Sequence, residues 1–236
     1  IFIGKLLLYD NRYLQVERKG MSTKVNFNAI RPFGPTILQG QLPKDLIKIL
    51  DDEATKLLEV DALAKEWDHS MHLAGNVKQE VRYPPNFLNS LEFSPILNAL
   101  QIIVEQYISI PPASDTISVK DVETMSISSM WIVSQFAGDF NPMHVHDGEL
   151  SGVIYTRIPK DLKEEYKKED HYPCVGDIHF MCGQAAKFSG NGFQATPNVG
   201  DIFLFPSWLS HAVYPFRTPN QERRSMSFNV ELKRKP

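Results

Sequence analysis

Three histidines in the second half of the chain are spaced as the ligands of one metal ion could be. His144 and His146 are separated by one residue, so both imidazoles point to the same side of an extended chain. His211 follows a predicted buried strand that ends at a proline-bounded turn, which is how a barrel can supply a distant third ligand. Each segment alone is also explained by surface or half-buried histidines with no ligand role. The metal-site prediction therefore depends on the fold bringing the two segments together.

The last predicted strand, residues 223–232, alternates strictly along its length. One face carries Arg223, Ser225, Ser227, Asn229 and Glu231, and the other carries Arg224, Met226, Phe228, Val230 and Leu232. The apolar face can meet helices, while the polar face looks either to solvent or into a barrel mouth that needs polar groups. Because Arg223 follows His211 by twelve residues, an antiparallel return can place it close to the same metal.

The secondary-structure elements that must position these residues are predicted to be helices in the first half of the chain and strands in the second. Apolar residues at helical spacing predict helices over residues 43–67 and 95–108. Short β-branched and aromatic runs then predict strands at 124–135, 151–158, 176–181, 200–205, 211–216 and 223–232. Helices first and strands second favour an α+β domain that is mainly β, with the helices packed on one sheet of a sandwich or barrel.

The composition is that of an ordinary soluble protein. The chain has 236 residues, a formal charge of -3 and 42% hydrophobic residues, and it lacks the basic excess expected of a nucleic-acid binder. The apolar start is too short to span a bilayer. Cys174 and Cys182 match neither a zinc motif nor a disulfide framework, which favours a reducing compartment and hence the cytoplasm.

The sequence is interpreted as one domain that follows a separate N-terminal segment. Residues 1–20 precede Met21 and are interpreted as an extension or as sequence foreign to the native protein. Residues 21–236 are expected to form a single domain, with helical support at 40–112 and a β core at about 124–232.

Residues 125–232 resemble the iron(II)/2-oxoglutarate-dependent oxygenases, particularly the prolyl-hydroxylase-like members and an uncharacterised bacterial and phage-associated branch. His211 matches the family's downstream histidine, and Arg223-Arg224-Ser225 reads as its RxS motif. The resemblance implies a double-stranded β-helix, of jelly-roll or cupin type. It also implies Fe(II), 2-oxoglutarate as a small-molecule cosubstrate, and O2, with Arg223, Ser225 and Tyr155 binding the cosubstrate and no catalytic residue beyond the metal site.

The sequence departs from the family at one ligand, because the usual HxD or HxE is His144-Val145-His146, with Asp147 one position later. Strand alternation favours a site of three histidines, His144, His146 and His211. A local bulge could instead let Asp147 supply a carboxylate. A third interpretation is a degenerate site that binds no iron.

The substrate to be oxidised is not indicated by the sequence. Trp131, Asn141 and Asn229 are candidates for residues that line its site, although a core or turn role explains each of them as well. Two other functions remain open at this stage. One is a three-histidine cupin-type dioxygenase that uses no 2-oxoglutarate, and the other is a non-catalytic jelly roll that binds a sugar or a peptide.

Overall fold

The computed structural model describes residues 7–9, 13–15, 27–30, 34–165, 175–187 and 190–235. Most of the predicted extension at 1–20 lies outside these residues, as does Cys174. The prediction that residues 21–236 form one domain stays a prediction. Among the described residues, no helix combines the length and apolarity that a membrane crossing requires.

The described elements follow one another as five helices and thirteen strands. The strands are β1 (Leu7–Tyr9), β2 (Tyr13–Gln15), β3 (Phe27–Ile30), β4 (Ile37–Gln41), β5 (Gln79–Arg82), β6 (Val122–Gln135), β7 (Asn141–His144), β8 (Leu150–Arg157), β9 (Ile178–Met181), β10 (Gly192–Ala195), β11 (Asp201–Pro206), β12 (Ser210–Val213) and β13 (Arg223–Arg234). The helices are α1 (Lys44–Glu59), α2 (Asp61–Glu66), α3 (Pro85–Leu88), α4 (Ser94–Ile108) and α5 (Leu162–Glu165).

Two antiparallel sheets form the β core. The larger sheet has the order β3-β4-β11-β8-β13-β6-β5, and the smaller has the order β10-β9-β12-β7. Strands distant in sequence lie side by side, such as β13 between β6 and β8, so the chain crosses back and forth as in a double-stranded β-helix. This confirms the predicted fold class, mainly β with a few helices.

Helices cover one face of the larger sheet, as predicted. Leu46, Leu50 and Leu57 of α1 are buried, as is most of α4, and they share one apolar core with Met226 and Phe228 of β13. A second core, between the sheets, contains Phe180, Phe203 and Phe205 among others. Each strand of the larger sheet therefore presents one set of side chains to the helices and the alternate set to the space between the sheets.

Gly152 of β8 permits the close contact between this strand and β13. A Cβ atom at this position would lie 2.1 Å from Cζ of Phe228, its partner in the register of the two strands. The Phe228 ring therefore occupies the space that a larger residue on β8 would need, which closes the helix-facing core.

Helix α1 is also joined to the sheet by a charged cluster. Asp51 of α1 accepts from Arg224 at 3.0 Å and from Arg157 at 2.9 Å. Glu222 pairs with the same two arginines, at 2.7 Å to Arg224 and 3.0 Å to Arg157. The Arg224 side chain is only 4% exposed, so its charge is compensated almost wholly by these two carboxylates.

The sequence patterns give the long elements and miss short ones. The helix predicted over residues 43–67 is two helices, because Val60 is extended, at φ −100° and ψ 99°. β5, β7 and β10 lie outside the predicted strands. They are four residues each, too short for an alternating pattern to stand out, and β7 contains Pro142.

Candidate active site

The three histidines meet between the two sheets. Their possible ligand atoms all lie within 4.8 Å of one another, and the ring centroids of His144 and His211 are 4.3 Å apart. His144 ends β7 and is paired in register with His211 of β12, while His146 follows in the loop and donates its backbone N–H to Ser207 O at 3.0 Å. The cluster is thus fixed by strand pairing and by one loop contact.

Backbone carbonyl groups orient two of the imidazoles. Nδ1 of His144 lies 2.7 Å from Pro142 O, and Nδ1 of His211 lies 2.9 Å from Leu209 O. A carbonyl oxygen can only accept, so each Nδ1 carries the proton and donates it. Nε2 of both rings is then left with a lone pair for a metal, the arrangement in which a second hydrogen bond sets the tautomer of a ligand.

Burial keeps the three rings neutral. It lowers the pKa of His146 to about 4 and that of His211 to about 3, in each case with a further contribution from His144. The pKa of His144 is also lowered by burial. Neutral imidazole is the form that binds a metal ion, so the cluster has suitable donors at neutral pH. Three nitrogen donors fit iron(II), among other first-row metals.

Asp147 does not join this cluster. It is exposed and is followed by Gly148, whose φ of 89° lies in the left-handed region. Within the described residues, the group of side chains able to hold a metal consists of the three histidines. The geometry thus supports the all-histidine interpretation over the carboxylate one.

Arg223 lies in the wall of the same cavity and is fully buried. Its Nη1 donates to Oε1 of Gln135, the residue opposite it on β6, while Nε and Nη2 have no hydrogen-bond partner. Its guanidinium carbon is 4.9 Å from the ring centroid of Tyr155, whose buried hydroxyl also lacks a partner. Burial lowers the pKa of Arg223 and raises that of Tyr155 to about 12.

These unpartnered groups fit a carboxylate ligand. A buried N–H without an acceptor costs about 1 to 3 kcal/mol, and more when it belongs to a charged group. A carboxylate would accept two parallel hydrogen bonds from Nε and Nη2 of Arg223 and a third from the Tyr155 hydroxyl. The distal carboxylate of 2-oxoglutarate has this chemistry, so the residues present fit that cosubstrate as well as the metal.

The cavity contains most of the predicted site residues. Its lining includes the following predicted residues: Trp131, Asn141, His144, His146, Tyr155, His211, Arg223 and Ser225. Trp131 packs on the His146 ring, with centroids 5.4 Å apart. Arg224 points to the helices, as alternation along β13 predicts.

Asn229 is not among the residues that line the cavity, and its assignment as a substrate residue stays a prediction. Its Oδ1 accepts from Oγ of Ser151 at 2.9 Å, and the register of β13 against β6 shifts immediately after it. Although Asn229 shares the face of Arg223, it lies six residues further along β13, beyond the histidines.

The sequence predictions do not include Gln135, which supports Arg223, or Glu80, which lines the cavity. Gln135 holds Arg223 in place and could have been found, since it shares the cavity face of β6 with Trp131. Glu80 also lines the cavity, but β5 is too short for its sequence to predict which way this residue faces.

Comparisons with known proteins agree with this geometry. Residues 129–229 match a family model described as "Putative 2OG-Fe(II) oxygenase", whereas no match is found among curated proteins. A prolyl-4-hydroxylase of Pseudomonas putida is similar in structure, at 16% identity and a TM-score of 0.53, over 85% of this chain and 93% of that chain. The viral collagen prolyl hydroxylase of Paramecium Bursaria Chlorella virus-1, solved with 2OG, has 11% identity and a TM-score of 0.49, over 86% and 94%.

The family match spans the site and the strands around it. At 16% identity, the likeness to the Pseudomonas enzyme concerns the fold. The match over residues 129–229 includes the three histidines, Tyr155 and Arg223. These residues are therefore similar to the 2OG-Fe(II) oxygenase family, in the part of the chain that forms the site.

Proposed function

We propose that this protein is a non-haem iron(II)- and 2-oxoglutarate-dependent dioxygenase. His144, His146 and His211 hold the iron, and Arg223 binds the distal carboxylate of 2-oxoglutarate. The observation that carries this proposal is the arrangement of Arg223, a fully buried arginine with two unpartnered N–H donors, in the same cavity as three neutral histidines.

The histidines fix the metal and leave room for its ligands. Three protein donors are the usual complement in iron oxygenases of this kind, because the 2-oxo acid and dioxygen need the remaining positions. When bound, the iron supplies the activation of dioxygen, coupled to decarboxylation of 2-oxoglutarate to succinate and to oxidation of the substrate.

The residues around Arg223 bind and orient the cosubstrate. Gln135 accepts from Nη1 of the guanidinium, so Nε and Nη2 are the two nitrogen atoms left to donate to a ligand in the cavity that Arg223 lines. Tyr155 and Ser225 line the cavity beside it and add hydroxyl donors for the same carboxylate. The burial of this end excludes water from the ion pair, which strengthens it.

The other two functions explain less of the site. In a cupin-type dioxygenase that uses no 2-oxoglutarate, Arg223 would be a structural residue or would bind a carboxylate of the substrate, and the cosubstrate would have no part in the site. A metal-free binding jelly roll leaves three histidines that burial keeps neutral and that converge within 4.8 Å. Oxygen consumption stimulated by 2-oxoglutarate alone distinguishes the proposed enzyme from both.

Substitution of Arg223 tests the proposal. Loss of a buried, two-pronged charged contact typically costs about 2 to 5 kcal/mol, so Arg223→Ala should weaken 2-oxoglutarate binding at least about thirtyfold and leave iron binding unchanged. Arg223→Lys should restore the affinity only in part, since lysine cannot donate two parallel bonds. The measurement is an anaerobic titration of 2-oxoglutarate into the iron-loaded protein, followed by metal-to-ligand charge-transfer absorption.

Arg82→Ala is the matched control, because Arg82 is an exposed arginine of β5 whose side chain reaches only Ser128 O, at 3.4 Å. It should bind 2-oxoglutarate as the parent does. Equal affinity in Arg223→Ala and the parent would remove 2-oxoglutarate from the proposed function.

A further inference from the structure

The cavity wall formed by β5 carries a second buried charged residue. Glu80 is opposite Val133 in the register of β5 and β6, so it shares the cavity face of the sheet. It is 4% exposed and lines the cavity together with the three histidines and Arg223. The site therefore has a carboxyl group that neither metal binding nor cosubstrate binding, as proposed, makes use of.

A chain of hydrogen bonds ends on this carboxyl group. Arg223 donates to Gln135, Gln135 donates to Asn141 Oδ1 at 3.1 Å, and Asn141 Nδ2 donates to Glu80 Oε1 at 3.4 Å. Asn141 makes a shorter bond, at 2.9 Å, to Ala74 O. Glu80 therefore receives one long hydrogen bond on Oε1, and Oε2 receives none from the described residues.

Two other buried carboxylates among the described residues, Glu165 and Asp201, accept more hydrogen bonds than Glu80 does. Glu165 accepts from the backbone of Arg217 and from both the backbone and the hydroxyl of Thr218. Asp201 accepts from Gln41 and twice from Asn198. A buried carboxylate normally needs such donors or a cation. Because Glu80 has a single, long hydrogen bond from the described residues, we infer that its missing donor comes from a ligand.

The charges around Glu80 favour a positively charged donor. No lysine or arginine of the described residues forms an ion pair with it, and the charged groups that act on it are Asp68 and Asp139. Burial raises its pKa to about 7; the Asn141 hydrogen bond opposes this shift, and the two acids add smaller contributions that raise the pKa further. A cation bound here would be attracted by all three carboxylates, whereas a neutral donor would satisfy only the hydrogen bond.

We propose that Glu80 anchors a protonated nitrogen, an amine or a guanidinium, on the substrate that enters this cavity. The inference rests on the proposed function, since it takes the Arg223 end of the cavity to be filled by 2-oxoglutarate. It assigns the opposite charge to the substrate: the cosubstrate presents a carboxylate to Arg223, and the substrate presents a cation to Glu80.

Matched pairs of small probes test this charge preference. Nα-acetyl-lysine amide is compared with Nα-acetyl-norleucine amide, and Nα-acetyl-arginine amide with Nα-acetyl-citrulline amide, because each second member lacks the charge. Binding to the metal-free protein is measured at pH 8 by calorimetry, so that the readout needs neither iron nor turnover. We expect at least one cationic probe to bind about tenfold or more tightly than its neutral counterpart, and Glu80→Gln to abolish the difference.

Glu149→Gln is the control, because Glu149 is an exposed carboxylate in the loop after His146 and its loss changes the net charge equally. It should keep the preference for cations. Equal binding of both members of both pairs by the parent would overturn the proposal, as would a preference that survives in Glu80→Gln or that disappears in Glu149→Gln.

Failure of the two proposals can be told apart. If the parent forms no charge-transfer band with iron and 2-oxoglutarate but Glu80 still selects cationic probes, the anchor stands and the enzyme function falls. If the band forms and no selection is found, the anchor alone is wrong. Should Glu80→Gln fail to fold, as judged by thermal unfolding, Glu80→Asp takes its place; it shortens the side chain by one methylene and should weaken the selection at least threefold.

Discussion

At the scale of single residues, the proposed metal centre differs in charge from one built with two histidines and a carboxylate. Three neutral imidazoles would leave a bound iron one unit more positive. The geometric basis for this difference is that the rings of His144, His146 and His211 lie close together. The extra positive charge should raise the potential of the iron and strengthen its attraction for the carboxylate of 2-oxoglutarate that Arg223 does not bind.

The position after the histidine pair gives a prediction about the ligand set. Because His146 converges with the other two rings while Asp147 is exposed, His146→Ala should lose stoichiometric iron(II) binding and Asp147→Ala should retain it. Metal analysis after anaerobic loading and desalting measures both. The reverse pattern would assign the third ligand to the carboxylate.

Gln135 gives a second prediction at this scale, since it acts on the cosubstrate only through Arg223. Gln135→Leu removes the acceptor of Nη1 and leaves a buried donor unsatisfied, a loss of about 1 to 3 kcal/mol. We expect 2-oxoglutarate to bind more weakly, by less than in Arg223→Ala, with iron binding intact. A purely structural role would lower the stability of the variant and leave the affinity for 2-oxoglutarate unchanged, which the charge-transfer titration would reveal.

At the scale of elements, β13 serves the site with one face and the helical layer with the other. Arg223 faces the cavity, while Arg224 reaches Asp51 of α1 and Glu222. The division follows from the alternation of side chains along a strand. We therefore expect the two arginines to contribute to different properties of the protein, Arg223 to ligand binding and Arg224 to stability.

Arg224→Ala should destabilise the fold and leave the site intact. The change leaves Asp51 and Glu222 with Arg157 as their ion-pair partner among the described residues, and its side chain is 40% exposed. Each carboxylate keeps one hydroxyl donor, from Thr156 and Ser134 respectively. The loss of one partner from a buried ion pair typically costs about 3 to 5 kcal/mol. Urea unfolding of the iron-free protein measures the loss. Lys48→Ala, which removes the exposed pair with Asp52, should change the stability by less than about 1 kcal/mol. Full stability in Arg224→Ala would contradict the role of the cluster.

The sequence predicts the elements whose pattern is long and whose two faces differ. Alternation in β13 indicates which of two adjacent arginines lies on the cavity side, and helical spacing locates α1 and α4. It does not predict the contact of Glu80 with Asn141, because that contact joins a four-residue strand to a residue sixty-one positions later. Partners of this kind are fixed by the meeting of sheets and not by a local pattern.

At the scale of the whole molecule, the Glu80 carboxyl group links stability to pH. Burial raises its pKa from 4.5 to about 7, so its contribution is most favourable below pH 4.5 and is lost as the pH rises through 7. Above pH 7 the buried charge should lower the stability of the ligand-free protein by about 3 kcal/mol. Such a cost is typical of residues kept for ligand binding.

Glu80→Gln should therefore be more stable than the parent at pH 8, and the difference should shrink to near zero at pH 4.5. Urea unfolding of both iron-free proteins across this range gives the comparison, and Glu149→Gln should follow the parent at every pH. A constant difference between the parent and Glu80→Gln would mean that the carboxyl group titrates normally in the folded protein.

The two adjacent arginines of β13 also affect how the register of this strand against β6 and β8 is set during folding. A slip of one residue would exchange Arg223 and Arg224, so an arginine would still face Tyr155 and another would still face α1. Arg223 and Arg224 therefore do not by themselves distinguish the native register of β13 from a register shifted by one residue. The shifted register is instead disfavoured by Met226 and Phe228, because the shift would move both side chains from the core beneath the helices into the cavity. We expect pairing of β13 to begin at these apolar residues and to extend along the strand from there. Arg223, the proposed ligand of the cosubstrate, should then be among the last residues of the strand to pair.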